Sequence, residues 1–470
     1  MAVVVSAKVL EKASEPAAVQ STEPCLLYRS LIERPSNVEM ATGSYLYLDD
    51  GRKILDACGG AAVAVLGHGN AEVIGAVMKQ MQKVSYVHTL SYGTDSSEEL
   101  AHAVLHFSDG SFDHGLVKAF FVGSGSEAND AAMKCARQYW YEKGETQRRF
   151  YVARKQSYHG NTIGSMSISG MAGRKMPYNE ILPTNVSFVS AADAFHGRKA
   201  DETEAMFVSR LVAELEAEFV RLGPENVISF IGETVSGAAL GTLAAPTGYW
   251  RSVRNLCDKY GILLHMDEVM CGTGRTGSYF AFEQEGIRPD IVTVGKGLGG
   301  GYVPIAGMLV GDRVVDALRH GSATFNHGQT YQAHPVSCAA ALAVQTILRR
   351  DGLVARVAAR AKTLQTLLQA AFAGCVHVAD IRGRGFFWSV EFMQDSTSRQ
   401  PFPRRVNFGP HVQRVAFDKG VAVYPGAGTI DGILGDHVLL APPYMASDEE
   451  LRTAVATLRE AYDEVVKSLD

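Results

Sequence analysis

Residues Ile262–Gly297 read ILLHMDEVMCGTGRTGSYFAFEQEGIRPDIVTVGKG. Two short apolar runs, Ile262–Met266 and Ile291–Val294, predict buried strands. The first ends at Asp267-Glu268 and the second at Gly295-Lys296-Gly297. The same pattern recurs upstream. Val117–Val122 (VKAFFV) runs into GSGSEAND and then a helical stretch containing Ala131, Ala132, Met133 and Cys135. Phe150–Ala153 runs toward Tyr158-His159-Gly160, and Val227–Gly232 (VISFIG) ends at Glu233. Strands alternating with helices predict an α/β fold around a mostly parallel sheet. Ligands of such sheets bind outside the carboxyl ends of the strands. These five ends are therefore expected to place Ser124, Tyr158, Glu233, Asp267 and Lys296 along one rim.

Further out, Tyr45–Asp56 predicts a hairpin, YLYL and KILD joined through Asp49-Asp50-Gly51-Arg52. Past residue 336 the texture changes. Residues 351–374 predict an alanine- and leucine-rich helix stopped by Gly374, and Gly385–Phe392 and Val438–Leu440 predict strands. Ser447-Asp448-Glu449-Glu450 opens a final helix with a capping box. The expected organisation is a flexible extension over 1–22 and an N-terminal segment, 23–66, joining a small domain. A large domain over 67–335 and a small α+β domain over 336–470 complete it.

Composition narrows the classes of function. At 470 residues and 46% hydrophobic, the chain is long enough for a large and a smaller domain. A formal net charge of −5 with no basic stripe argues against a nucleic-acid partner. No apolar stretch is long enough for a membrane span. Residues 1–22 lack the arginines of a mitochondrial leader and the apolar core of a signal peptide. Seven scattered cysteines without a CxxC pair read as reduced thiols in a cytoplasmic protein.

Lys296 stands between glycines after a buried strand, where an unpaired ammonium is costly to desolvate. By itself it reads as a lysine reaching solvent or a carboxylate; the alternative is a desolvated amine able to form an imine with an aldehyde cofactor. Asp267 favours the second reading. Pyridoxal phosphate needs an acidic partner on its ring nitrogen, so that the protonated ring can absorb carbanion electrons. GSGSEAND adds glycine, two serine hydroxyls and a helix start, a combination that binds phosphate. Gly123–Ala128 also fits the dinucleotide pattern GxGxxA, but the acidic ribose partner would fall at Glu142 or Glu145, in a charged stretch before the next strand. Tyr158 could stack on a flat ring or be an ordinary half-buried tyrosine. His102 and His106 have the spacing of a metal pair, but HExxH is missing and Glu98 and Glu99 mark a solvated face, so no metal is expected.

Lysine, aspartate, phosphate loop and stacking aromatic on successive strand ends resemble the fold type I pyridoxal-phosphate enzymes. More narrowly, the chain resembles the class III aminotransferases, the ω-aminotransferase or ornithine aminotransferase-like family. Met266–Gly307 carries DEV, GRTG, PD and the KG lysine in family order and spacing. LGHGN at Gly67-His68, SGSEAND, YHG and TYQAHPVSCAAAL from Thr330 extend the resemblance over roughly residues 43–445. It implies that Ser124, Gly125 and Ser126 hold the phosphate and that Tyr158, next to His159, stacks on the ring. Glu233 would support the ring region, Asp267 its nitrogen and Val269 its underside, with Lys296 carrying the cofactor as a Schiff base. Thr330 would reach the cofactor phosphate of a partner subunit, because the family builds its sites across a homodimer interface. Cys58–Ala62, Tyr86, His88 and Tyr424 are expected near the substrate.

The implied reaction is ping-pong transfer of an amino group from a primary amine or amino acid to a 2-oxo acid such as pyruvate, with Lys296 moving the proton. Two departures stand out. Glu233 is followed by Thr234 where relatives often have proline. Between Lys419 and Arg452 there is no lysine or arginine, although many relatives grip an α-carboxylate there; Tyr424 stands in that place, followed by an inserted loop. A donor without an α-carboxylate is the resulting expectation. Aminomutases, racemases and decarboxylases of the same family, a dinucleotide oxidoreductase and a non-catalytic scaffold are the competing readings.

Overall fold

The computed structural model describes residues 25–108 and 110–469. The extension expected over 1–22 lies outside the described residues. Seven strands form the central sheet, in the order Leu116–Val122, Ala306–Gly311, Ile291–Val294, Leu263–Asp267, Val227–Glu233, Phe150–Arg154 and Val186–Val189. All run parallel except Ala306–Gly311, which is antiparallel to both neighbours. The five strands read from the sequence are present within a residue of their expected ends. Val186–Val189 and Ala306–Gly311 (AGMLVG) are additions, one very short and the other diluted by glycine and alanine, both poor strand formers.

The sheet is covered on both sides, as a parallel sheet requires. Leu263, Ile291 and Met308 pack under Ala131, Cys135, Tyr139 and Trp140 of the helix Gly125–Glu142. Their neighbours Leu264, Val292 and Leu309 face the other way, against Phe207 and Leu211 of Glu204–Leu222 and Trp250 and Val253 of Tyr249–Tyr260. Adjacent residues thus serve opposite cores, the period of two expected of a strand.

Two smaller sheets flank this unit. Tyr45–Leu48 and Lys53–Asp56 form the expected hairpin, with Gly51 at φ +85°, and Lys53–Asp56 pairs in parallel with Val421–Ala422. The N-terminal hairpin therefore joins the C-terminal part of the chain. The other sheet runs Val378–Arg384, Phe387–Phe392, Asp436–Leu440, Tyr424–Ala427. The helix expected over 351–374 is shorter, Leu353–Ala371: Gly352 sits left-handed at its start, and the chain has already turned at Phe372, before Gly374. Ser447 and Glu450 make the capping box at the head of Asp448–Lys467. Helix Pro335–Arg350 bridges the units: Cys338 and Ala341 face the central core, while Val344 and Leu348 face the C-terminal one.

A buried ionic cluster ties the units further. His196, just past the Val186–Val189 strand, lies 2.6 Å from Asp193 and 3.2 Å from Glu391 of the C-terminal sheet. Glu391 also pairs with Arg382 at 2.5 Å and accepts from Thr429. Burial opposes the His196 charge, but Asp193 and Glu391 outweigh it and push the imidazole up to about 9. A group raised in the folded state stabilises it fully below its unfolded value and loses that effect as pH climbs through the folded one. The melting temperature is therefore expected to fall as pH rises from about 6.5 through 9. The contribution lost is on the order of 2–3 kcal/mol. In His196→Asn, this segment of a calorimetric pH series should flatten.

Candidate active site

Ser124 is extended and caps the 18-residue helix Gly125–Glu142, its hydroxyl accepting from the Glu127 amide. The first amides of that helix, Gly125 and Ser126, have no intrahelical acceptor and present the positive end of the helix dipole. Ser126 Oγ exchanges hydrogen bonds with Asn161, donating to its Oδ1 at 2.8 Å and accepting from its amide at 3.0 Å. The loop has no spare room for side chains. A Cβ on Gly125 would stand 2.8 Å from Val269 Cγ1, and one on Gly160 would stand 2.6 Å from Ser126 Oγ. Glu142 and Glu145, the would-be ribose partners, lie at and just past the opposite end of this 18-residue helix, about 27 Å away at 1.5 Å per residue. Glu142 is occupied with Ser322 and Glu145 with Arg148.

Asp267 closes its strand with 4% of its surface exposed. Its Oδ2 accepts from Asn129 Nδ2 at 3.0 Å and pairs with His159 Nδ1 at 2.8 Å; its Oδ1 accepts from the Val269 amide at 3.0 Å. Asn129 is held in turn by the Thr293 hydroxyl and donates to the His159 carbonyl. Burial alone would raise this carboxyl; His159 and the Val269 amide bring it below the usual range. It is therefore ionised at neutral pH. An ionised carboxylate has about four acceptor positions. Three are used, leaving one for a cationic N–H in the cavity.

Lys296 has φ +44°, a left-handed conformation rare for a residue with a side chain, between Gly295 and Gly297. A Cβ on Gly297 would meet Thr273 Oγ1 at 2.4 Å, so the turn tolerates no bulk there. Among the described residues the Lys296 ammonium has no hydrogen-bond partner. Desolvation lowers its pKa below the ordinary lysine value, against the opposing fields of Asp267 and Glu233. Glu233 accepts from the amides of Tyr158 (3.0 Å) and Gly237 (2.8 Å). Thr234, noted in the sequence as a departure from the family pattern, donates its hydroxyl to buried Glu268, whose carboxyl burial pushes up to about 7.

These groups line one cavity of about 370 Å³. Ser124, Gly125, Ser126, Tyr158, His159, Glu233, Asp267, Val269, Lys296 and Tyr424 all take part in its wall. Cys58, Tyr86, His88 and Thr330 do not. Cys58 is buried beside Asp56, donating to the Gly60 carbonyl, while Ala61 of the same expected stretch and Val63 just past it reach the wall. The Tyr86 hydroxyl donates to the Thr330 carbonyl at 3.0 Å, and His88 spends its carbonyl on the Ser91 and Tyr92 amides. Gln329 and Tyr331 border an adjoining cavity of about 280 Å³ that shares Gly123, Pro304 and Ile305 with the first. Asn129, Arg174, Arg29, Met270 and Cys271 are wall residues not read from the sequence. Met270 and Cys271 simply continue the DEV segment. The His102 and His106 rings lie 4.5 Å apart, tilted by 53°, and no cluster of three metal-ligating side chains exists among the described residues.

The donor set suits pyridoxal phosphate: a glycine-lined helix start for the phosphate, an ionised buried carboxylate with one acceptor position left, and a desolvated amine. The fit depends on close approach at Gly125. Gly125→Ala is expected to cost about 1–3 kcal/mol through the clash with Val269, seen as a lower denaturation midpoint with an unchanged slope.

The chain matches the aminotransferase class-III family over residues 30–462. It is 46% identical over 444 residues to an uncharacterised aminotransferase of Schizosaccharomyces pombe, covering 94% of this chain and 96% of that one. A putrescine–pyruvate aminotransferase of Pseudomonas aeruginosa is 31% identical, with 94% of each chain covered. The ω-transaminase of Pseudomonas jessenii in complex with PMP superposes with a TM-score of 0.86 at 30% identity, over 92% of this chain and 93% of that one. The chain therefore belongs to the class III aminotransferases, pyridoxal-phosphate enzymes of fold type I that transfer an amino group to an oxo acid.

Proposed function

We propose that Lys296 is the residue that carries pyridoxal phosphate and moves the proton during transfer, with Asp267 as partner of the ring nitrogen. The observation that supports this most is an amine without a hydrogen-bond partner, in the same cavity wall as an ionised, buried carboxylate. The bound cofactor supplies the electron sink that makes a carbon acidic next to the donor nitrogen. The protein's part is to orient and to shuttle. The amides of Gly125 and Ser126, with the Ser124 and Ser126 hydroxyls, take the phosphate. Tyr158 lies against the ring, its main chain fixed by Glu233, and Val269 fills the opposite side between Gly125 and Gly295. His159 and Asn129 keep Asp267 charged and aimed. Lys296, lowered by desolvation, is uncharged more often than a surface lysine and so can accept a proton.

The donor is a primary amine and the acceptor a 2-oxo acid, in line with the putrescine–pyruvate relative and with the lack of Lys or Arg between Lys419 and Arg452. The enzyme acts as a homodimer in the cytoplasm. Exposed Tyr86 (39%) and Tyr331 (65%) lie beside Thr330, and exposed Leu90 (86%) and Tyr92 (67%) follow Tyr86 in sequence, where an interface would bring Thr330 to the partner's phosphate. Residues 67–335 form the cofactor-binding domain, and 23–66 complete the small domain of 336–470.

Lys296→Ala should remain folded, lose the visible absorbance of covalently held cofactor and lose at least about 10²–10⁴-fold in turnover; near-normal turnover would remove Lys296 from the chemistry. Asp267→Asn should bind cofactor more weakly, measured by dialysis, and slow the amine half-reaction. A rate equal to wild type would leave Asp267 a purely structural role.

A further inference from the structure

Lys296 lies in the stretch GKGLGGG, where five of residues 295–301 are glycine. Glycine is conformationally permissive, so such a segment holds no shape by itself. Only Lys296–Leu298 makes a helical turn, closed by the Leu298 amide donating to the Gly295 carbonyl at 2.8 Å. The Lys296 carbonyl accepts from the Gly299 and Gly300 amides. The carbonyls of buried Gly297 and Leu298 have no backbone donor among the described residues. A buried carbonyl without a donor is costly. One side chain meets both: Gln345 Nε2 donates to Leu298 at 2.8 Å and to Gly297 at 3.4 Å.

Gln345 is 1% exposed and takes no part in the cavity wall. It stands on helix Pro335–Arg350, next to Val344, which packs into the C-terminal core. Two carbonyl acceptors settle which end of its amide faces the turn. The other end accepts from the Tyr279 hydroxyl at 2.9 Å. Tyr279 is itself pinned by its stack on Phe107, with ring centroids 3.9 Å apart and planes within 8°. Thr273, which leaves no room for a Cβ on Gly297, is held by the Tyr444 hydroxyl at 2.9 Å. The turn that carries Lys296 is thus fixed by side chains remote in sequence, not by its own backbone.

We propose that Gln345 is a positioning residue for Lys296: it fixes the glycine-rich turn from which the amine reaches the cavity, without itself touching substrate or cofactor. The inference rests on the role proposed for Lys296 above and names the group that holds it in place. Misplacing a reacting group by an ångström can cost about 100-fold in rate, and a turn rich in glycine permits such a displacement once its anchor is gone.

The test uses the holoenzyme with Gln345→Met, which keeps the length of the side chain and removes its donor. A second variant, Tyr279→Phe, removes the hydroxyl that holds Gln345. One readout needs no turnover: in Gln345→Met, hydrogen exchange of the amides of residues 298–300 should quicken about 3- to 10-fold, with the central strands exchanging as in wild type. The other is the amine half-reaction, followed through the cofactor's absorbance with the amine that wild type uses best. Its limiting rate should fall about 10- to 100-fold while the half-saturating amine concentration stays at its wild-type value. Deuterium in place of the transferred hydrogen should slow the variant more than it slows wild type. Tyr279→Phe should show the same pattern at smaller amplitude, and it decides alone if Gln345→Met does not fold. A wild-type limiting rate in the folded variants, or a loss confined to half-saturation, overturns the inference. Borohydride reduction and peptide mapping of wild type separate this from failure of the underlying reading: cofactor fixed on Lys296 keeps that reading, and cofactor fixed on another lysine overturns both.

Discussion

Keeping a carboxylate charged at the end of a fully buried strand is costly unless other groups replace the water it has lost. Asp267 recovers that hydration from His159, Asn129 and the Val269 amide, which come from three different segments of the chain. Asn129 in turn needs Thr293 on the neighbouring strand, and Val269 needs the bare backbones of Gly125 and Gly295. The loop Gly123–Ser126, the Lys296 turn and the strand ends are therefore set by one requirement. Moving any of them by an ångström would leave part of a buried charge unsatisfied. Catalytic geometry and local stability are coupled here because they use the same hydrogen bonds.

The elements read most closely from the sequence are those in which local chemistry and tertiary demand agree. The Tyr45–Asp56 hairpin has a turn whose glycine takes the left-handed conformation, and the last helix has its reciprocal cap. Of the five strands ending at the rim, Leu116–Val122 lies at the sheet edge and leaves Val117 and Lys118 exposed. Val227–Glu233, Leu263–Asp267 and Ile291–Val294 are buried throughout and mostly apolar because both their faces are covered. Ala306–Gly311 is equally buried, yet its glycines and alanine give no local sign of it. The helix over Leu353–Ala371 was overextended because composition continues past the turn at Phe372, where backbone conformation changes.

At the site the division is similar. Lys296, Asp267 and the serines are conspicuous beside glycines and strand ends. Asn129 is hidden in an ordinary amphipathic helix, and its role exists only through a contact with a residue 138 positions away. Arg174 lies in a turn with no motif, and only the folded chain brings its guanidinium beside the Tyr158 ring in the cavity wall. Thr234 shows the converse. It stands where the family resemblance implies a proline, and its hydroxyl satisfies a buried glutamate.

The antiparallel strand Ala306–Gly311 has a bearing on how the chain is made. Leu116–Val122 pairs within the sheet only with that strand, so its edge waits nearly 200 residues for a partner as the polypeptide leaves the ribosome. Lys53–Asp56 waits longer still for Val421–Ala422. Both are bare strand edges with apolar side chains during that interval, the condition under which nascent chains associate with one another. Both unpaired edges thus lie in the first third of the sequence and wait for partners translated after Lys296.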